Sequence, residues 1–428
     1  MARVLFFALL ASLVPAAAVA QSETLLAHWV EMAPGGAAEA RVVMEGSSCP
    51  VATVDGTKIP LQLRAAPDEK FAVRLCVLAL PQGAQHAAVM GEDLALPKTA
   101  PDRILVLGDT GCRVTASTVQ NCNDPAGWPF PQVAAQAAKL KPDLVIHVGD
   151  YLYREQACPN GDARCAGSPW GDNWPTWAAD FFTPGKPLLE AAPWVIVRGN
   201  HEECWRAGTG FLRLLGPLPV VEGAACREHV EPYVVSLGAM DLVVMDNASA
   251  LDCCRGATGA LCFFSCGPSD ALIDTYRRDF AALGSLSSKP MWLAMHHPIW
   301  GVVQLSYGMA GGGNATLIDA EEQAGIPDNT SLMLAGHIHT FEAINYEGGL
   351  PPQLIVGEGG DRLDKAPPDL TGQTIFTAKI ADGFSLPGYG FLLLTRAGDG
   401  WTIEVFDAAG ARERRCTYAS RRINCSKA

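Results

Sequence analysis

Five short segments, nearly all closing an apolar run rich in β-branched residues, follow one another through the middle of this chain. They are Gly108-Asp109-Thr110-Gly111, Gly149-Asp150-Tyr151-Leu152-Tyr153, Gly199-Asn200-His201-Glu202, Leu293-Ala294-Met295-His296-His297-Pro298 and Gly336-His337-Ile338-His339. Each carries a side chain that can bind a metal ion. One Gly-Asp or His-x-His is common by chance. Five in this order, all at strand ends, demand a fold that collects carboxylate, amide and imidazole groups in one place. A two-metal hydrolase needs that collection.

The texture around the segments fits an α/β domain. Arg103–Leu107, Leu144–Val148, Trp194–Arg198, Met291–Met295 and Leu332–Ala335 read as buried strands, and each runs into one of the five segments. Pro131–Leu140, Thr176–Ala191 and Ala271–Leu283 read as helices between them. Tyr233–Leu237 and Leu242–Met245 read as paired strands. The later runs Phe341–Tyr346, Gln353–Val356, Phe391–Thr395 and Thr402–Val405 are mostly strands. The alternation predicts a mainly parallel sheet, and the late strands predict antiparallel additions. Open sheets of this kind place their sites beyond the carboxyl ends of the strands, where all five segments lie.

The side chains suit phosphate ester hydrolysis. Anionic oxygens repel a nucleophile, and a metal pair about 3.5–4 Å apart neutralises them and acidifies a water. Hard oxygen donors and borderline imidazoles suit iron, manganese or zinc. The candidate ligands are Asp109, Asp150, Asn200, His296, His337 and His339. The glycines before Asp109, Asp150, Asn200 and His337 are expected to permit sharp turns.

The five segments resemble those of the calcineurin-like metallophosphoesterases. Two details resemble the purple acid phosphatase branch: Gly111 closing the first segment, and Tyr153 three residues after Asp150. Glu342 and the run Val356–Gly360 also fit, and the resemblance spans roughly residues 103–408. It implies a four-layer α/β/β/α sandwich. It implies one metal held by Asp109, Asp150, Tyr153 and His339, and a second held by Asp150, Asn200, His296 and His337, with Asp150 bridging. Iron is implied at the tyrosine site, with iron, zinc or manganese at the other. A metal-bound hydroxide would attack a phosphomonoester in line, with Asp150, His296 and His201 as the catalytic side chains and His201 facing the phosphate. The alternative is a metallophosphodiesterase acting on cyclic nucleotides or phospholipid headgroups. The branch often carries another histidine nine or ten residues after the fourth-segment ligand. Leu305 and Ser306 stand there, so His297 is either a substitute aid to the leaving group or a packing residue.

Other residues have plainer readings. Glu202 is expected to orient a neighbour, and Asp246 to hold a loop. Trp170, Trp174 and Trp177 read as core or as a substrate rim, and Met309–Gly313 as a surface loop or a mobile rim. The chain has no Gly-x-Ser-x-Gly and no phosphate-binding P-loop.

Residues 1–20 read as a signal peptide: Arg3, an apolar stretch, then Ala18-Val19-Ala20 before Gln21. No other stretch is apolar enough to span a bilayer, so the processed protein is expected to be exported, periplasmic or secreted. Fourteen cysteines agree with an oxidising compartment. Neighbours in sequence suggest pairs Cys49–Cys76, Cys112–Cys122, Cys158–Cys165, Cys204–Cys226 and Cys416–Cys425. Cys253, Cys254, Cys262 and Cys266 have no obvious pairing. Residues 24–100 read as a small β-rich domain, residues 103–408 as the catalytic domain, and residues 409–428 as a disulfide-closed tail. A net charge of −13 argues against nucleic acid as a partner and leaves a small phosphorylated substrate.

Overall fold

The computed structural model describes residues 23–250, 269–304 and 310–425. The expected leader, the cluster Cys253, Cys254, Cys262 and Cys266, and positions Leu305 and Ser306 lie outside the described residues.

Strands Arg103–Leu107, Leu144–His147 and Trp194–Ile196 pair in parallel at the centre of an eleven-stranded sheet. Strands Asp241–Val244, Met291–Ala294, Thr330–Ala335 and Gln353–Val356 form the parallel part of an eight-stranded sheet. The burial pattern explains why these runs are apolar throughout instead of alternating. Ile104, Val106, Ile146, Leu242, Trp292 and Leu334 meet in a core between the two sheets. Their neighbours Leu105, Leu107 and Val145 face a second core under helices. Val243, Leu293 and Met333 face a third. Strands covered on both faces have no polar side to show.

Helices close the outer faces. Phe130–Lys139 buries Phe130, Val133, Ala134 and Ala137, one stripe at helical spacing. Asp270–Leu286 buries Tyr276, Phe280 and Leu283 against the other sheet. The layers run helix, sheet, sheet, helix, the sandwich expected above. The helix expected over 176–191 is three pieces: Trp174–Trp177, a π-helical turn at Ala178–Phe182, and Thr183–Leu189. Ala315–Ala324 is a further helix that the sequence reading did not name.

Both chain ends extend the first sheet. Thr24–Met32 pairs in parallel with Trp194–Ile196 at one edge of its parallel centre, and Ala38–Glu45, Arg74–Ala79 and Gln62–Ala65 follow it outward. Gly390–Ala397 lies antiparallel to Arg103–Leu107 at the other edge, followed by Gly400–Asp407, Arg412–Ala419 and Arg422–Cys425. A separate four-stranded sheet contains Val51–Val54, Thr57–Pro60 and Ala87–Val89.

Five disulfides join the pairs suggested by sequence. Cys416 and Cys425 face each other across adjacent strands, with Cα atoms 4.0 Å apart. Thiol labelling of the denatured, unreduced protein should therefore reach no cysteines beyond Cys253, Cys254, Cys262 and Cys266. Labelling at Cys112 or Cys204 would contradict this framework.

Candidate metal centre

The first three segments leave the carboxyl ends of strands in one sheet, and the last two leave those of the other. The site therefore sits where the two sheets meet. Asp109, Asp150 and His337 adopt φ of 55°, 62° and 70°, a left-handed conformation uncommon outside glycine. Such strain is held only where surrounding structure enforces it. The turn expected at the preceding glycines thus falls partly on the candidate ligands themselves. Of those glycines, Gly149 has a positive φ of 103°. Gly336 and Gly199 serve close approach instead: a Cβ on Gly336 would lie 2.5 Å from Asp109 Oδ2, and one on Gly199 would collide with Asp150.

Two groups of donors touch. The Tyr153 hydroxyl lies 3.0 Å from Asp109 Oδ1, 2.7 Å from Asp150 Oδ2 and 3.1 Å from His339 Nε2. Asn200 Oδ1 lies 2.9 Å from His296 Nε2 and 3.1 Å from His337 Nδ1. Asp150 belongs to both groups, since its Oδ2 is also 3.3 Å from His296 Nε2. Asp109, Asp150 and His339 form one cluster that could hold a metal ion. The Asn200 amide can sit either way: turned over, its nitrogen would donate to Asp150 and both imidazoles. The oxygen-inward orientation is the one that offers a ligand atom.

Second contacts fix the imidazoles. His296 Nδ1 donates to Val148 O at 2.9 Å, and His339 Nδ1 donates to Arg362 O at 2.8 Å. Each ring therefore turns Nε2 toward the carboxylates. Burial of the whole group makes charge decisive. Burial draws the His296 and His339 imidazoles down, yet neighbouring carboxylates outweigh it and hold them up at about 9 and about 10. Burial raises the Asp109 carboxyl. It also raises the Tyr153 phenol well above its usual value, and Asp109 and Asp150 add to that. The pocket concentrates negative charge and holds positive charge against it.

Residues beyond the segments keep the donors in place. Glu202, fully buried, accepts from the backbone N–H of Gly199, Asp150, Tyr151 and Leu152. It orients neighbours, as expected, and ties the second segment to the third. Asp180, carried by the π-helical turn, accepts from the N–H of Cys112, Tyr153 and Arg154. Asp361 accepts from Arg113 and lies 3.3 Å from His339 Nδ1. His201 sits 2.8 Å from Glu155 through Nδ1, and Arg206 Nη2 approaches both its ring nitrogens. Burial and then Arg206 lower its imidazole to about 4. Sequence reasoning missed Arg113, Glu155, Asp180, Arg206 and Asp361. Arg113, Glu155 and Arg206 lie within five residues of Asp109, Tyr153 and His201, so a search for charges flanking the segments would have found them. Asp361 directly follows the run Val356–Gly360 and is marked in the same way, whereas nothing in the sequence marks Asp180.

The remaining candidates fall into place. A cavity of about 500 Å³ opens over the centre, bordered by Asp150, Asn200, His201, His337 and His339. His297 borders a second cavity of about 220 Å³ with Gly312, Gly313 and Asn314. Its ring packs 4.0 Å from that of His337. Burial, then His296, lower its imidazole to about 3. Trp177 is core, Trp174 packs on Phe182, and Trp170 is exposed; none borders the larger cavity. Asp246 accepts from Val230 N and Ala248 N, holding its loop.

The calcineurin-like phosphoesterase family model matches residues 102–341. Among solved structures, the purple acid phosphatase PPD1 from yellow lupin (Lupinus luteus) seeds is 13% identical at a TM-score of 0.53, over 93% of this chain and 74% of that one. A structure of PhoD is 12% identical at a TM-score of 0.55, over 94% of this chain and 92% of the other. At this identity the likeness is one of fold. No curated protein matches the chain.

Proposed function

Because the chain belongs to the calcineurin-like phosphoesterase family and is thereby a metal-dependent phosphoester hydrolase, we propose that it is a dinuclear phosphomonoesterase of the purple acid phosphatase type. The observation that carries this reading is the position of Asp150. Its Oδ2 lies 2.7 Å from the Tyr153 hydroxyl and 3.3 Å from His296 Nε2, so one oxygen reaches both donor groups. Asp109, Asp150, Tyr153 and His339 would hold one metal. Asp150, Asn200, His296 and His337 would hold the second. The donors fit: two carboxylates, a phenol, an amide oxygen and three imidazoles, two of which (His296 and His339) are turned by backbone carbonyls to offer Nε2.

A bound metal pair supplies charge neutralisation at the phosphate and a more acidic water. The chain's own residues do the rest. His201 faces the cavity beside Asp150 and is held by Glu155 and Arg206. It would orient the phosphate and assist the leaving oxygen, while the Arg206 guanidinium brings a fixed positive charge to the same place. Tyr153 favours iron at its site. Five disulfides support export to the periplasm or beyond.

The test is elemental analysis with a visible spectrum, beside p-nitrophenyl phosphate turnover with and without chelator. Two metals including iron, a broad band in the green and chelator-sensitive turnover are expected. In Tyr153→Phe the band should vanish while the second metal remains. A colourless two-metal enzyme would keep the hydrolase and remove the tyrosinate-iron assignment. Faster turnover of bis(p-nitrophenyl) phosphate would move the substrate from monoesters to diesters.

A further inference from the structure

The larger cavity has no apolar side chain in its lining among the described residues. Three of its lining residues are arginines, and they differ in how their donors are used. Arg206 is fully engaged: Nε donates to Glu155, Nη1 to Asn200 O, and Nη2 lies against His201. Arg113 gives Nε and Nη2 to Asp361. Its Nη1 has no hydrogen-bond partner among the described residues. Arg362 is exposed, and its guanidinium has no hydrogen bond or ion pair among the described residues. The Arg362 carbonyl accepts from His339, which anchors this residue beside the metal centre. The acids lining the same cavity are Asp150, a proposed metal ligand, and Asp364, whose Oδ2 already accepts from His339 N.

Arg113 is placed in advance. Its backbone N–H donates to Gln120 at 3.0 Å, the adjacent Cys112 is joined to Cys122, and its guanidinium stacks 4.8 Å over the Tyr153 ring. A guanidinium held this way loses little freedom when it binds an anion. An apolar alcohol group in the cavity would strip water from these donors and return no hydrogen bond.

We propose that Arg113 and Arg362 form a second anion subsite beside the scissile phosphate. The preferred substrates are then phosphomonoesters that carry another phosphate or carboxylate group. This rests on the phosphoesterase reading above and names the substrate class of the same site.

The experiment compares the holoenzyme with Arg362→Gln and Arg362→Lys, a position whose side chain makes no hydrogen bond or ion pair among the described residues. Turnover of fructose 1,6-bisphosphate is measured against fructose 6-phosphate, and of 3-phosphoglycerate against glycerol 3-phosphate. In the wild type, kcat/KM should favour the member with the extra anion, and added salt should erode the preference. In Arg362→Gln the preference should fall about tenfold, mostly through KM, with partial recovery in Arg362→Lys. The first pair reads a second phosphate and the second pair a carboxylate; a preference in either supports the subsite. Equal turnover within both pairs, or a preference unchanged in Arg362→Gln, overturns it. Calorimetric binding of the same compounds separates the two claims. If no ester is hydrolysed the function fails, yet tighter binding of the extra-anion members that is lost in Arg362→Gln still supports the subsite. Equal binding overturns it.

Discussion

Replacing Asp150 by alanine is expected to abolish hydrolysis of p-nitrophenyl phosphate, lowering kcat/KM by more than about 100-fold. That lower bound is what the loss of a group merely supporting a metal ligand can cost. Asp150 does more. Its Oδ2 faces the Tyr153 hydroxyl and the His296 ring, and its Oδ1 accepts from His201 N at 2.8 Å. One substitution therefore removes a donor from each proposed metal and frees the backbone that presents His201. Burial raises this carboxyl, but His296 and His201 outweigh it and hold it well below the usual range. It is thus a carboxylate at any working pH. Metal analysis should show loss of metal along with activity. Wild-type turnover in a correctly folded Asp150→Ala protein would end the two-metal reading.

The largest expected loss of stability is at Glu202. Both its oxygens accept two backbone N–H groups each, at 2.9–3.2 Å, inside a fully buried turn. Alanine would leave these donors without partners and open a void. Burial and then Asp150 push this carboxyl up to about 8, so its contribution is that of a hydrogen-bond acceptor and not of an ion pair. An unmet buried donor costs about 1–3 kcal/mol, and we expect a loss in or above that range, read as a lower urea midpoint in tryptophan fluorescence. Glutamine keeps the shape but sets an NH₂ group against two N–H donors, so Glu202→Gln should lie nearer to alanine than to wild type. Activity should fall in both variants, because the Asp150 and Tyr151 amides are among those released. A glutamine variant as stable as wild type would show that the carboxylate is not what joins these segments.

Much of the centre was legible because its donors follow strands, and a strand end is a local event. Asp109 and Asp150 each follow a short apolar run, and a few residues suffice to see that. The disulfides were legible for a related reason: each joins cysteines that follow one another in the chain, 7 to 27 residues apart. Glycine was read less well. The requirement at Gly199 and Gly336 comes from atoms of Asp150 and Asp109, which lie far away in sequence. A sharp turn and a close approach leave the same letter in the chain.

The sequence by itself determined the donor types, their order along the chain and their place at strand ends, because apolar runs and the polar residues closing them are written in consecutive positions. The tertiary structure alone decided that these ends belong to two sheets meeting face to face, with Asp150 between the two donor groups. It also decided which charges are spent. Arg113 meets Asp361 across 248 positions of sequence, whereas Arg362, next to that same aspartate, has no ion pair among the described residues. Pairing of charges depends on which surfaces the packed layers bring together, and no local pattern encodes that.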